Sequence, residues 1–248
     1  MANSMENDLI FDLGFHNGSD TRFYLGKGFR VMALEANPKL VEKGEQEFKA
    51  EIEAGRLVIV NRALSAHAEA SSISFFVNDE KDDWSSTNAE WAAKGGHSVR
   101  EIKVQSITLD GLIEQHGHPY YIKCDIEGED KSFIQQVTRS DKKPKYLSVE
   151  GGGPFYINSL SSAGYSNFQI VNQFLHFKKA SPEPALEGTF FATRFTAVMS
   201  GLFGKELPAE RWNSGPVTLD LLDRFKQLRA LDPELAPGWI DLHARLDD

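Results

Sequence analysis

Residues 10–38 constrain the fold more than any other stretch. They open Ile-Phe-Asp-Leu-Gly-Phe-His-Asn-Gly-Ser-Asp-Thr and close Phe-Arg-Val-Met-Ala-Leu-Glu-Ala-Asn-Pro. Residues 9–13 form a short apolar run interrupted by Asp12, the pattern of a buried strand. Residues 14–18 form a glycine-bearing turn, and Ser19 or Asp20 is placed to cap the helix that follows. Gly26 and Gly28 end that helix, because glycine reaches positive φ without steric cost. Residues 29–34 are the next apolar strand, and Glu35 follows it directly. Strand, glycine turn, helix, strand and acid come in that order. The acid lies about 20 residues past the first glycine, the spacing of a nucleoside-binding βαβ unit. A carboxylate there can accept two hydrogen bonds from a ribose diol.

The turn narrows the ligand. A dinucleotide site wants Gly-x-Gly-x-x-Gly, with the helix N-terminus aimed at a pyrophosphate. This chain has Asp-x-Gly-x-x-x-Gly, a poor phosphate cradle with an acid beside it. Asp12 suits a ligand with a cationic group, such as the amino-acid end of S-adenosylmethionine. An ordinary βα turn followed by a strand-end acid is the plainer reading of the same residues.

The chain has 248 residues, 41% hydrophobic and 25% charged, ordinary for a soluble globular protein. Its net charge of −9 argues against a nucleic-acid or anionic-membrane binder, which shows a basic face. The lone Cys124 excludes an internal disulfide and fits a reducing, cytoplasmic setting. Residues 1–9 are polar and give no signal-peptide core. The best membrane candidate, residues 195–204, is far too short to span.

Asn37-Pro38 starts a second helix with Leu40, Val41, Phe48 and Ile52 on one face, closed by Gly55. Residues 56–61 hold the third buried strand. The order βαβαβ predicts a parallel sheet with right-handed crossovers. Residues 72–77 read as an edge strand. Residues 78–96 are polar and acidic but carry Trp84 and Trp91. A loop that long is a solvated excursion or a lid. Residues 98–104 read as a strand and 108–116 as a helix. Residues 120–124 are the fourth core strand, running into Asp125-Ile-Glu-Gly-Glu-Asp. Residues 145–149 are the fifth, ending at Glu150, and 168–177 hold the sixth. Residues 217–231 read as a helix with Leu221, Leu222, Phe225 and Leu228 on its buried face. The expectation is one domain, with a lid-like loop at about 78–97 and a helical extension at about 205–248.

Ligands in open α/β sheets bind outside the carboxyl ends of the strands. Asp12, Glu35, Asp125 and Glu150 all fall at such ends. A crowded acid there can have a raised pKa and serve as a base. Acids after strands are also common helix caps. Asp125, Glu127 and Glu129 offer hard oxygen ligands for Mg²⁺, but no histidine accompanies them, and the expectation is a site without metal. Glu129 suits the start of the next helix, where negative charge is favourable. His16, His97 and His176 are alternative bases. There is no Gly-x-Ser-x-Gly elbow, P-loop or His-Glu-x-x-His motif.

Asp12-Leu-Gly14-Phe-His-Asn-Gly18, Glu35-Ala-Asn37-Pro38, Ser106-Ile-Thr-Leu-Asp110 and Lys123-Cys-Asp125-Ile-Glu127-Gly128-Glu129 together resemble the FkbM family of S-adenosylmethionine-dependent methyltransferases. The resemblance covers roughly residues 9–150. It implies an α/β class I methyltransferase fold, Rossmann-like, with a mostly parallel sheet and helices on both faces. It also implies methylation of hydroxyls on sugars, glycans or small natural products. By that resemblance Asp12, Gly14 and Gly18 line the methionine end of the cofactor, Glu35 holds the ribose, and Asn37 lies near the adenine. Phe15, Asn17, Ala36 and Ala63 flank them in the cofactor site. Asp125, which also borders the cofactor, and Glu127 face the reacting centre, with Glu150 beside them. His16 and Phe15 depart from the family's turn. The alternatives are a nicotinamide-dependent dehydrogenase, weakened by the missing third glycine, and a non-catalytic nucleoside-binding module. Expected partners are a small-molecule or glycan acceptor, with no nucleic acid, no membrane span and the oligomeric state open.

Overall fold

The computed structural model describes residues 4–66 and 72–247, and the backbone alone of His176. In chain order the elements are β1 (Glu6–Leu13), α1 (Ser19–Gly26), β2 (Arg30–Glu35), α2 (Pro38–Glu47), α3 (Lys49–Glu53), β3 (Leu57–Asn61), β4 (Ala63–Leu64), β5 (Ser72–Val77), α4 (Ala89–Ala92), β6 (Arg100–Ile107), α5 (Leu109–His116), β7 (Pro119–Cys124), α6 (Asp130–Arg139), β8 (Tyr146–Glu150), α7 (Pro154–Ser162), β9 (Tyr165–Asn172), α8 (Gly215–Leu231) and β10 (Ile240–Leu246).

The main sheet has seven strands in the order β3-β2-β1-β7-β8-β10-β9. All run parallel except β10, which pairs antiparallel with β8 and β9. The two-residue period of a strand splits the core into two layers. Leu9, Phe11 and Leu13 of β1, Met32 and Leu34 of β2, and Ile122 and Cys124 of β7 face α5, α6, α7 and α8. Ile10, Val31, Ala33 and Tyr121 face the other way, onto α1, Phe48 and the segment carrying Phe195 and Phe203. This is the Rossmann-like, class I methyltransferase architecture that the resemblance implies. A second sheet, β4-β6-β5, packs at the carboxyl end, with β5 at its edge as the sequence suggests.

Several local expectations need correction. Gly18, not Ser19 or Asp20, precedes α1, and no side chain caps that helix. Asn37 does cap α2 through the Lys39 N–H, as Thr108 caps α5 through Gly111. The C-terminal extension is not all helical: β10 inserts between β8 and the edge strand β9 of the main sheet. After β9 the chain continues as a 3₁₀ turn, Gln173–Lys178, rather than as strand. On α8, Leu221 and Leu228 are exposed, while Leu222 is buried with Leu219 and Phe225 packed beside it. Residues 195–204 form no transmembrane helix, and among the described residues no helix is long and apolar enough to cross a membrane.

Candidate active site

The parallel strands β1, β2, β7 and β8 deliver their carboxyl ends to one rim. A cavity of about 550 Å³ opens there. Gly14, Phe15, Asn17, Glu35, Ala36, Ala63, Asp125, Glu127 and Glu150 all line it. Asp12, Gly18 and Asn37 do not.

The glycine turn is pressed against the end of β7. Gly14 has φ +91°, and a Cβ added there would run into the Asp125 carbonyl oxygen. His16 takes φ 48°, unusual for a side-chain-bearing residue. That twist points its N–H at Glu35 Oε2, 2.9 Å away, while the Asn37 N–H reaches Glu35 Oε1 at 2.8 Å. Burial raises the Glu35 pKa, and the two N–H bonds oppose that rise. Each oxygen holds one backbone donor and keeps a lone pair for the cavity. Leu34, Ala36, Leu40, Ala63, Leu64 and Phe75 form an apolar slot around it.

Asp12 is displaced from the role expected of it. It is fully buried, accepts a bond from Thr21 Oγ1 at 2.6 Å and pairs with Lys123 Nζ at 3.3 Å. The adjacent strand register, Asp12 opposite Lys123, makes this pair. Asp20 is the acid that reaches the cavity instead. Both of its oxygens accept from the Ser200 N–H, at 2.9 and 3.1 Å. Burial lifts the Asp20 carboxyl to about 7, with Lys123 opposing the shift. Lys123 also donates to the Gly14 carbonyl at 2.8 Å. Burial disfavours its charge, but Asp12, Asp125 and Asp20 outweigh that and hold its pKa above the ordinary lysine range. Gly18 and Asn37 act from outside the cavity, by opening α1 and by capping α2.

The same cavity is lined by a group of acids. Asp125, Glu127 and Glu150 each offer an oxygen within 4.8 Å of the others. Glu127 has φ 45° and is followed by Gly128 at φ 94°, so the chain turns tightly after β7. Trp91 Nε1 donates to Glu127 Oε2 at 2.6 Å, and Lys94 Nζ reaches the same oxygen at 3.2 Å. Burial first, then Asp125, raises the Glu127 pKa against those donors. Glu150 is pushed up to about 8, by burial and then by Asp125, Glu127 and Asp130.

Residues 78–96 are not a featureless loop. They carry two short 3₁₀ segments and α4, and they are clipped to the rim. His16 Nε2 lies 3.2 Å from Asp82 Oδ1, Ser86 Oγ donates to the Glu127 carbonyl at 2.5 Å, and Thr87 Oγ1 donates to Glu129 Oε1 at 3.0 Å. Lys94 sits between two indoles, 4.5 Å from the Trp84 ring centre and 4.4 Å from that of Trp91. Trp84 lines the cavity, with Asp82, Asp83 and Ser85 beside it. Among the histidines, His16 lines the cavity while His97 turns to Glu80 at 3.1 Å, away from it. The side chain of His176 lies outside the described residues.

The sequence reading missed Asp20, Lys123, residues 197–200, Trp239 and Asp241, all of which line the cavity. Lys123 stands in a motif that the reading quotes, and its alternation with Asp125 on one strand face was the available signal. Asp20 stands just after the glycine turn, where it reads as a helix cap, and residues 197–200, Trp239 and Asp241 arrive from distant parts of the chain with no local mark.

The FkbM methyltransferase domain model matches residues 12–180. Among solved structures, the chain is similar to methyltransferase FkbM from Methylobacillus flagellatus KT, with 17% identity and a TM-score of 0.44, over 69% of this chain and 42% of that one. It is also similar to precorrin-6y C5,15-methyltransferase from Geobacter metallireducens GS-15, with 11% identity and a TM-score of 0.41, over 98% of this chain and 82% of that one. A SAM-dependent O-methyltransferase from Thermotoga maritima gives 9% identity and a TM-score of 0.43, over 98% of this chain and 61% of that one. The chain therefore spans less than half the length of the Methylobacillus protein. No curated protein matches it. The matched span of the family model exceeds half of the chain and contains the glycine turn, Glu35 and the acids up to Glu150, so the chain belongs to the FkbM methyltransferase domain family.

Proposed function

We propose that this chain transfers the methyl group of S-adenosylmethionine to a hydroxyl of a sugar, glycan or small natural product. The observation that carries the reading is that one cavity is lined both by Glu35 among apolar residues and by the clustered carboxylates of Asp125, Glu127 and Glu150. The Glu35 part of the lining fits a nucleoside, because the Glu35 oxygens keep lone pairs free beside an apolar surface. We assign Glu35 to the ribose, the slot with Ala36 and Ala63 to the adenine, and Gly14, Phe15, Asn17 and Asp20 to the methionine end.

When bound, the cofactor supplies an electrophilic methyl on a sulfonium that is already a good leaving group. Transfer of that methyl to an acceptor oxygen would leave the electron pair of the carbon–sulfur bond on sulfur. The chain's residues hold the hydroxyl in line, so positioning carries much of the rate. The hydroxyl proton passes to a carboxylate of the Asp125, Glu127 and Glu150 group. Residues 78–96 cover the acceptor and exclude water. The single buried Cys124 is in keeping with a reducing, cytoplasmic setting.

Calorimetry with S-adenosylmethionine, S-adenosylhomocysteine and NAD tests the reading. Saturable binding of the first two and not of NAD is expected; NAD alone binding makes the chain a dehydrogenase instead. Labelled cofactor incubated with glycan and natural-product pools, followed by mass spectrometry, then identifies the acceptor.

A further inference from the structure

Residues 78–96 bring a clamped cation to Glu127. Lys94 lines the cavity, and its Nζ lies 4.5 Å from the ring centre of Trp84 and 4.4 Å from that of Trp91. An ammonium over an indole face is attracted by the ring's quadrupole, and here two rings hold one ammonium. From that place Nζ reaches Glu127 Oε2 at 3.2 Å, and Trp91 Nε1 donates to the same oxygen at 2.6 Å. Two donors from one element meet on one carboxylate oxygen. Among the described residues none donates to Oε1.

The backbone under Glu127 is fixed by the same element. Ser86 Oγ donates to the Glu127 carbonyl at 2.5 Å. A Cβ added to Gly128 would lie 3.3 Å from the Trp91 ring, so the indole packs directly on the turn. Glu127 itself takes φ 45°, which a residue bearing a side chain keeps only where its surroundings over-determine it. The charged groups facing Glu127 are Lys94, Asp125 after β7 and Glu150 at the end of β8. Asp130 of α6 and Asp241 of β10 stand behind them, each facing Glu150. Lys123 is held by the Gly14 carbonyl and Asp12, so Lys94 is the cation that addresses Glu127.

We propose that Lys94 and Trp91 are positioning residues for the base: they tie up Glu127 Oε2 and leave Oε1 to take the acceptor hydroxyl's proton. Trp84 and Trp91 hold the ammonium in place, so seating residues 78–96 over the cavity and readying the base are one event. A base must be ionised before it can accept a proton. Burial and Asp125 work against that state of Glu127, while Trp91 and Lys94 favour it. The role in catalysis rests on the methyl-transfer reading; the anchoring of Glu127 does not.

The test reads Glu127 directly. In the full chain, labelled with carbon-13 at the glutamate carboxyls, its resonance is assigned by its loss in Glu127→Gln and followed by NMR through a pH titration. Lys94→Met removes the charge and keeps most of the stem, and should move the Glu127 titration up by about 1–3 pH units, the range for one charge partner. Lys94→Arg keeps the charge and should restore most of that change. Trp91→Phe loses the N–H but keeps a ring, and should also move the titration up. With the acceptor found by labelled cofactor, the acidic limb of kcat/KM should rise in Lys94→Met by the same amount, with S-adenosylhomocysteine affinity kept. Circular dichroism checks that each variant is folded. An unchanged titration in folded Lys94→Met overturns the anchoring, as does Lys94→Arg behaving like Lys94→Met. An unmoved acidic limb in a chain that still transfers methyl overturns the positioning role and leaves the methyl-transfer reading standing. A raised titration in a chain that binds no S-adenosylhomocysteine keeps the anchoring and overturns that reading.

Discussion

Glu35 is a carboxylate both fixed and available. Two backbone donors, one on each oxygen, lock its plane, and the lone pairs left over face the cavity. Charge-assisted bonds of this kind contribute about 1.5–3 kcal/mol each. Glu35→Ala should therefore weaken S-adenosylhomocysteine by roughly 10- to 100-fold in calorimetry. An unchanged affinity in the folded variant removes Glu35 from the cofactor site. The clustered acids predict the opposite pattern. Asp125→Asn and Glu127→Gln keep shape and lose basicity, so whichever carboxylate takes the proton should show kcat reduced by about 10²–10⁴-fold with cofactor affinity kept. Full activity in both variants shifts the role to Glu150. Asp12 marks where residue-level reading stops. Its place before the turn suggests a ligand contact, but strand register sets Lys123 against it, and the lysine claims the carboxylate. Pairing across strands 100 residues apart leaves no local trace in sequence.

Among the elements, residues 78–96 are tied to Glu127 and Glu129 at several points while Trp84 lines the cavity. Trp84→Ala should raise the acceptor KM or lower kcat while leaving cofactor affinity near wild type. Kinetics indistinguishable from wild type would show that this element does not touch the acceptor. A second device lies at the opposite end of the strands. Lys27 and Glu206 form an ion pair with both side chains fully buried, 2.5 Å apart, fastening the segment after β9 beneath α1. Beside it Glu187 accepts from Tyr120 at 2.7 Å, and burial, with Glu206 adding to it, lifts the Glu187 carboxyl to about 7. A folded-state pKa above the unfolded one means the folded chain binds protons more tightly. The stabilisation is complete below the unfolded value and is lost as pH rises through about 7. Glu187→Gln should therefore show a smaller fall in Tm between about pH 5 and about pH 8 than the wild type does. An equal fall in both assigns the pH response to other groups.

For the whole molecule, the order β1-α1-β2-α2 and the strands up to β8 could be read from the chain because each signal is local. Apolar runs of strand length alternate with helical faces, and glycines or caps punctuate them. The same logic placed Gly14, Glu35, Asp125, Glu127 and Glu150 on one rim. It failed at β10. Ile240–Leu246 mixes Asp241, His243 and Arg245 with apolar residues, and its neighbours β8 and β9 are supplied from far upstream. Nothing near residue 240 announces that this segment pairs between β8 and β9, and Asp241 comes to the cavity with it. The position of β10 also sets a timetable. During synthesis, domains form roughly in the order in which they emerge, at about 5–20 residues per second. The half of the sheet that carries the glycine turn is complete long before β10 leaves the ribosome. The β8 edge, with Glu150 on it, then waits roughly 5–20 s for its neighbour. Until Ile240–Leu246 has been made, the β8 edge stays unpaired and β9 has no neighbour in the main sheet, so two strands wait on one.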